Sequence, residues 1–219
     1  MPSPFDQSTY QVRLDWGTAG LARLATADVV VVVDVLRFSS TVIDATASGV
    51  TVALEEAQRW SRNGAAVVAA ASTDSTVLVG GIRNAAAVAR AVQTIQERRQ
   101  ARTSVAVIAA GELDSAGTLR FAVEDQLGAG AIVSALSARG IDHTAPDAAV
   151  AAEGFHALRG AVRHMVGASG SGHELADGVM ATARIEASGL VPTSVADAAV
   201  LDAVDLVPVL RDGSFTRFE

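Results

Sequence analysis

The 219-residue sequence contains no cysteine and no lysine: all 17 basic side chains are arginine. Without cysteine there is no thiolate nucleophile, no disulfide and no Cys-ligated zinc. Without lysine there is no Schiff base, no lysine general base and no Gly-Lys-Ser/Thr phosphate loop. Aromatic residues make up only 4% while half of the chain is hydrophobic, so the core must be built from closely packed Ala, Val, Leu and Ile. No apolar run reaches the roughly 18 residues that a membrane span needs, and the start MPSPFDQSTY has no basic stretch leading into an apolar one. A cytoplasmic protein is the expectation. The net charge of −7 argues against nucleic acid or an anionic membrane as partner, although a local arginine cluster can still hold a small anion.

What remains is a regular alternation of elements. Tyr10–Trp16 alternates polar and apolar residues as a half-buried strand does, and Gly20–Leu24 predicts a short helix. Five consecutive valines, Val29–Val33, end in Asp34, the mark of a strand buried on both faces of a parallel sheet. Ser39, Ser40 and Thr41 then offer N-caps for a helix closing at Gly49. Val50–Leu54 reads as a strand and Glu55–Trp60 as a helix, before apolar runs at Ala65–Ala71 and Thr76–Val79. A helix over about Asn84–Arg99, a strand at Val105–Ala110 and a helix over about Phe121–Ala138 complete the pattern of an α/β sheet with crossover helices. The last third turns helix-rich. It predicts one helix over Pro146–Val166, a loop at Gly167–Gly172, a helix through Leu175 and Ile185, a short one near Ser194–Ala203, and a strand at Asp205–Leu210. The length suits one domain, 1–219, or two lobes of about 1–140 and 141–219.

Two clusters can bear chemistry. In Asp34-Val-Leu-Arg37-Phe-Ser39-Ser40-Thr41, a helix start at the carboxyl end of a buried strand can present free N–H groups to an anion, with Arg37 and three hydroxyls as further donors. Asp34 there can bind Mg²⁺, act as a nucleophile, or simply cap the loop. In the second, Glu112, Glu124 and Asp125 supply the oxygen ligands that Mg²⁺ prefers, although acids in a helix's first turn also serve its dipole. Asn84 reads first as an N-cap, and the four histidines show no ligand spacing. A haloacid dehalogenase-type phosphatase needs a second Asp two residues after the first; that position is Leu36.

Taken together, the Asp34–Thr41 segment, Gly80-Gly81-Ile82-Arg83-Asn84-Ala85, Ala110-Gly111, Val123-Glu124-Asp125 with Gly128-Ala-Gly-Ala-Ile132, Ser169…Gly172…Leu175 and Val207-Pro208…Asp212-Gly213 resemble the 2-phosphosulfolactate phosphatase family over roughly residues 28–213. The resemblance implies a three-layer α/β/α fold with a mixed, largely parallel sheet. It also implies Mg²⁺-dependent hydrolysis of a small anionic phosphoester, a step toward coenzyme M. On that reading Asp34, Arg37 and Glu124 are catalytic, Arg37, Ser39, Ser40, Thr41 and Asn84 bind substrate, and Asp34, Glu124 and Asp125 hold the metal. The sequence departs from the family between Trp60 and Asn63, where some 30–40 residues of related chains have no counterpart, and at Ser194, where an Asp is usual. These departures motivate an alternative: a family member impaired in catalysis that binds a phosphorylated or sulfonated metabolite. The Ala-rich helical surface is compatible with a homodimer.

Overall fold

A computed structural model describes residues 3–178 and 180–219. The five valines form the centre of the molecule. Strand β2 (Val29–Val33) lies between β4 (Thr76–Gly80) and β5 (Val105–Ala109), parallel to both, with β1 (Val12–Trp16) parallel to β5 at one edge. Beyond β4 the sheet turns antiparallel through β8 (Pro208–Arg211), β9 (Ser214–Arg217) and the two-residue edge strand β3 (Val52–Ala53). A separate two-stranded ribbon, β6 (Glu112–Leu113) and β7 (Leu119–Arg120), projects after β5.

Because side chains alternate along a strand, the valines divide between two cores. Val29, Val31 and Val33 pack with α5 (Ala85–Arg99), α6 (Val123–Ser137), α7 (Pro146–Leu158) and α8 (Val162–Gly167). Val30 and Val32 pack on the other face with residues of α2 (Ser40–Ala47), α3 (Leu54–Trp60), α4 (Gly64–Ala70) and α10 (Met180–Ala187), beside the end of α1 (Gly17–Arg23). The mixed, three-layer α/β/α arrangement is therefore as expected. No helix among the described residues is long and apolar enough to cross a membrane.

Several boundaries differ from the sequence reading. The helix expected over Pro146–Val166 is broken by a 3₁₀ turn at Arg159–Ala161, around Gly160, so that α7 and α8 can each follow the surface of α6. The expected loop at Gly167–Gly172 is already helical from Gly170: Ser169 caps α9 (Gly170–Asp177) by accepting from the Gly172 N–H at 3.0 Å. The helix expected to run on through Ile185 stops at Gly178, in left-handed conformation, and α10 follows. The last helix shortens to α11 (Val195–Ala198), and the turn at Asp212-Gly213 joins β8 to an unforeseen strand, β9.

Helix α6 is buried nearly all round, between the sheet and α7. Gly130 makes that sandwich possible, since a Cβ there would stand 2.1 Å from the Ala151 carbonyl oxygen of α7. Replacing Gly130 with Ala should force α6 and α7 apart and cost about 1–3 kcal/mol. For a chain of this size that is a fall in Tm of several degrees, about 2–4 °C per kcal/mol, measurable by calorimetry. An unchanged Tm would show that the helices can separate at no cost.

Candidate active site

In a parallel sheet the carboxyl ends of the strands open onto one crevice, and here β2, β4 and β5 direct Asp34, Gly81 and Gly111 to it. The chain does not pass straight from β2 into α2. An irregular turn, Val35–Ser39, intervenes, with Leu36 in extended conformation. Three of its N–H groups have partners: Val35 N–H donates to Asp125 Oδ1 at 2.7 Å, Phe38 N–H to Asp34 Oδ1 at 3.4 Å, and Ser39 N–H to the Asp34 carbonyl at 2.7 Å. At Val35, Phe38 and Ser39 the N–H groups are therefore engaged within the protein rather than open to an anion. The hydroxyls are likewise turned inward. Ser39 Oγ accepts from Asp34 N–H at 3.0 Å and donates to the Val32 carbonyl, while Ser40 Oγ donates to the Val35 carbonyl at 2.8 Å. Thr41 is buried, its hydroxyl without a partner. Asn84 is wholly buried and clasps backbone, accepting from Gly81 N–H and donating to the carbonyls of Val79 and Leu206.

Asp34 is the buried floor of a cavity of about 460 Å³. Arg37 and Glu112 line it as well, together with residues for which the sequence offered no local signal: Trp60, Asn63, Glu174 and Arg184 among them. Ser39, Ser40, Thr41, Asn84, Glu124 and Asp125 do not line it. Asp34 Oδ2 accepts from Gly64 N–H at 2.9 Å, and a Cβ at residue 64 would stand 2.4 Å from the Phe38 ring and 2.8 Å from that oxygen. Only glycine brings the backbone of α4 so close. Asn63 Nδ2 donates to Glu112 Oε2 at 3.4 Å, and its Oδ1 is buried and unpartnered. Arg37, with a side chain only 10% exposed, pairs with Glu174 through Nη2 at 3.3 Å and leaves Nη1 buried without a partner.

Behind the cavity, Glu124 and Asp125 occupy the first turn of α6, both almost fully buried. Asp125 reaches across to Val35 N–H and, through Oδ2, to Gly111 N–H at 2.9 Å, so its two oxygens join the ends of β2 and β5. Burial raises Asp34 to about 6 against the partial relief of the Gly64 and Phe38 N–H groups, with the charges of Glu112 and Glu124 adding to the rise. Burial and the charges of Asp34 and Glu124 push Asp125 well above the usual carboxylate range. Glu112 is raised by burial and by Glu174, and lowered by Asn63 and by Arg37. The crevice thus gathers carboxylates in excess of cations, with oxygen donors alone, which suits a hard divalent ion. Among the described residues no three His, Asp or Glu side chains converge as a ready metal group. That donor set fits Mg²⁺, which keeps several waters and takes one or two carboxylates plus substrate oxygens.

The raised Asp34 has a consequence for stability in metal-free protein. Between the ordinary Asp value of 3.8 and about 6 the folded state holds a proton that the unfolded state has lost. Stability therefore falls as pH rises through that window, by up to about 3 kcal/mol from this group. Denaturant unfolding in chelator should show that decline in the wild type and a shallower one in Asp34→Asn; parallel profiles would refute it.

Comparison with known proteins bears on residues 52–213, which match the model of the family described as 2-phosphosulpholactate phosphatase. No curated protein matches the chain. The matched stretch holds Asn63, Glu112, Glu124, Asp125 and Glu174, while Asp34 and Arg37 precede it. Three quarters of the chain are covered, and the chain belongs to the 2-phosphosulpholactate phosphatase family.

Proposed function

We propose that the chain is a Mg²⁺-dependent phosphatase of a small anionic phosphoester such as 2-phosphosulfolactate, acting at the Asp34 crevice. The observation that carries this reading is Arg37: a guanidinium nine-tenths buried, its Nη1 unpartnered, lining the same cavity as the carboxylates of Asp34 and Glu112. An arginine fork matches phosphoryl oxygens, and a dry cavity strengthens its hold. Asp34, on the cavity floor, is the residue we assign to the metal, with Glu124 buried behind it and its charge acting on Asp34. When bound, Mg²⁺ would polarise the phosphoryl group and lower the pKa of a water.

The protein's own groups do the rest. Arg37 binds and orients the phosphoryl group. Glu174, half exposed on α9, holds Arg37 in place when no substrate does. Glu112, its carboxyl raised above the usual range by burial and steadied by Asn63, can accept or release a proton at its carboxylate oxygens. Asp125 we assign to positioning, because both its oxygens are engaged by backbone N–H groups. Ser39, Ser40, Thr41 and Asn84 are assigned to shaping the turn and strand ends rather than to touching substrate.

Phosphate release from 2-phosphosulfolactate should require Mg²⁺ and stop in chelator. Asp34→Asn should lower kcat by about 100-fold or more, and Arg37→Ala should lower kcat/KM by about 10- to 100-fold. Full metal-dependent turnover in Asp34→Asn would remove Asp34 from the reaction. The alternative reading, a binder impaired in catalysis, predicts a rise in Tm with the ester and no phosphate release under any metal condition.

A further inference from the structure

We propose that Arg184 of α10 determines specificity at this site by binding a second anionic group, carboxylate or sulfonate, on the same small molecule as the phosphoester. The inference rests on the phosphatase reading above. Arg184 lines the cavity floored by Asp34, together with its neighbour Ile185. Its Nε is buried and has no hydrogen-bond partner, and none of the ion pairs among the described residues includes it.

A second donor in the same cavity is in the same condition. Trp60, only 5% exposed, lines the cavity, and its indole Nε1 is buried and unpartnered. The indole is fixed in place against Phe38, 5.8 Å between ring centres. Arginine and indole N–H groups are donors only, so what completes them must be an acceptor, and the fixed charge favours an anion. Arg37 cannot serve both ends of a substrate: it is the cation that already bears on Glu112 and pairs with Glu174. Arg62, exposed and lining the same cavity, adds positive charge toward solvent. A site whose donors lie unpaired without a given group discriminates strongly against an analogue that lacks it.

The test compares three esters with Mg²⁺ present: 2-phospholactate, which adds a carboxylate; 2-sulfoethyl phosphate, which adds a sulfonate; and glycerol 2-phosphate, which adds neither. Arg184→Gln should raise KM for at least one acidic ester by about 10- to 100-fold, with kcat little changed and glycerol 2-phosphate unaffected. The ester that carries the penalty names the acid group. Arg184→Lys should recover part of the loss, and Trp60→Phe, which keeps the ring but not the N–H, should show a smaller loss of the same pattern. An equal penalty on all three esters, or none, would overturn the proposal. Calorimetry with sulfoacetate, which has both acid groups and no phosphoester, separates this inference from the phosphatase reading. Wild type should bind sulfoacetate at least about tenfold more tightly than Arg184→Gln even if no ester is hydrolysed, and equal binding would overturn the inference while leaving turnover untouched.

Discussion

Two buried carboxylates hold the working end of this fold together. Asp125, from α6, accepts from the N–H groups that follow β2 and β5, and so fixes two neighbouring strand ends to one helix. Asp34 accepts from the turn that follows it and from the start of α4. Each N–H needs a partner because it is shut away from water, and a carboxylate with two acceptor oxygens can satisfy two such groups from different parts of the chain. The arrangement keeps like charges close in a place of low polarity, and the raised pKa values of Asp34, Glu112 and Asp125 record it. A purely structural solution would satisfy those N–H groups with backbone carbonyls. The use of carboxylates, beside arginines whose donors are unmet, is the physical basis for reading the crevice as a place where a cation and an anion are handled.

The central strand and its helices were legible in the sequence because they rest on short-range patterns. Val29–Val33 could only be a doubly covered strand, and the apolar spacing of α5 could only be a helix lying on it. The crevice was legible in part. Asp34 stood out because a charge ends an unbroken valine run, and Glu124-Asp125 because two acids open an otherwise apolar helix. Their division of labour was not readable. Asp125's partners are main-chain groups 90 and 14 residues away, which no side-chain motif encodes. The Ser39–Thr41 cluster looked like a free cap because the irregular turn before α2, which engages the Ser39 and Ser40 hydroxyls, leaves no mark in residue type. The far wall of the cavity, Trp60 to Asn63 with Arg184, is assembled from segments more than a hundred residues apart, and only the folded chain brings them together.

The family match begins at residue 52, after the Asp34 cluster, so the case for that cluster has to be physical. The structure supplies it at the junction of α3 and α4. The chain passes from Trp60 to Gly64 in a short connection, which ends with Gly64 N–H on Asp34 and the Asn63 amide on Glu112. A loop that merely joined two helices would have no reason to place an unprotected backbone against a buried carboxylate. This one does so at a residue where any side chain would strike both Asp34 and Phe38. The matched and unmatched parts of the chain therefore meet at the same oxygen atoms. The connection encloses the carboxylates, leaves Arg37 and Arg184 with open donors, and keeps a cavity large enough for a small diacid ester between them. That is the geometry of an open site with unmet donors, not of one that is filled in.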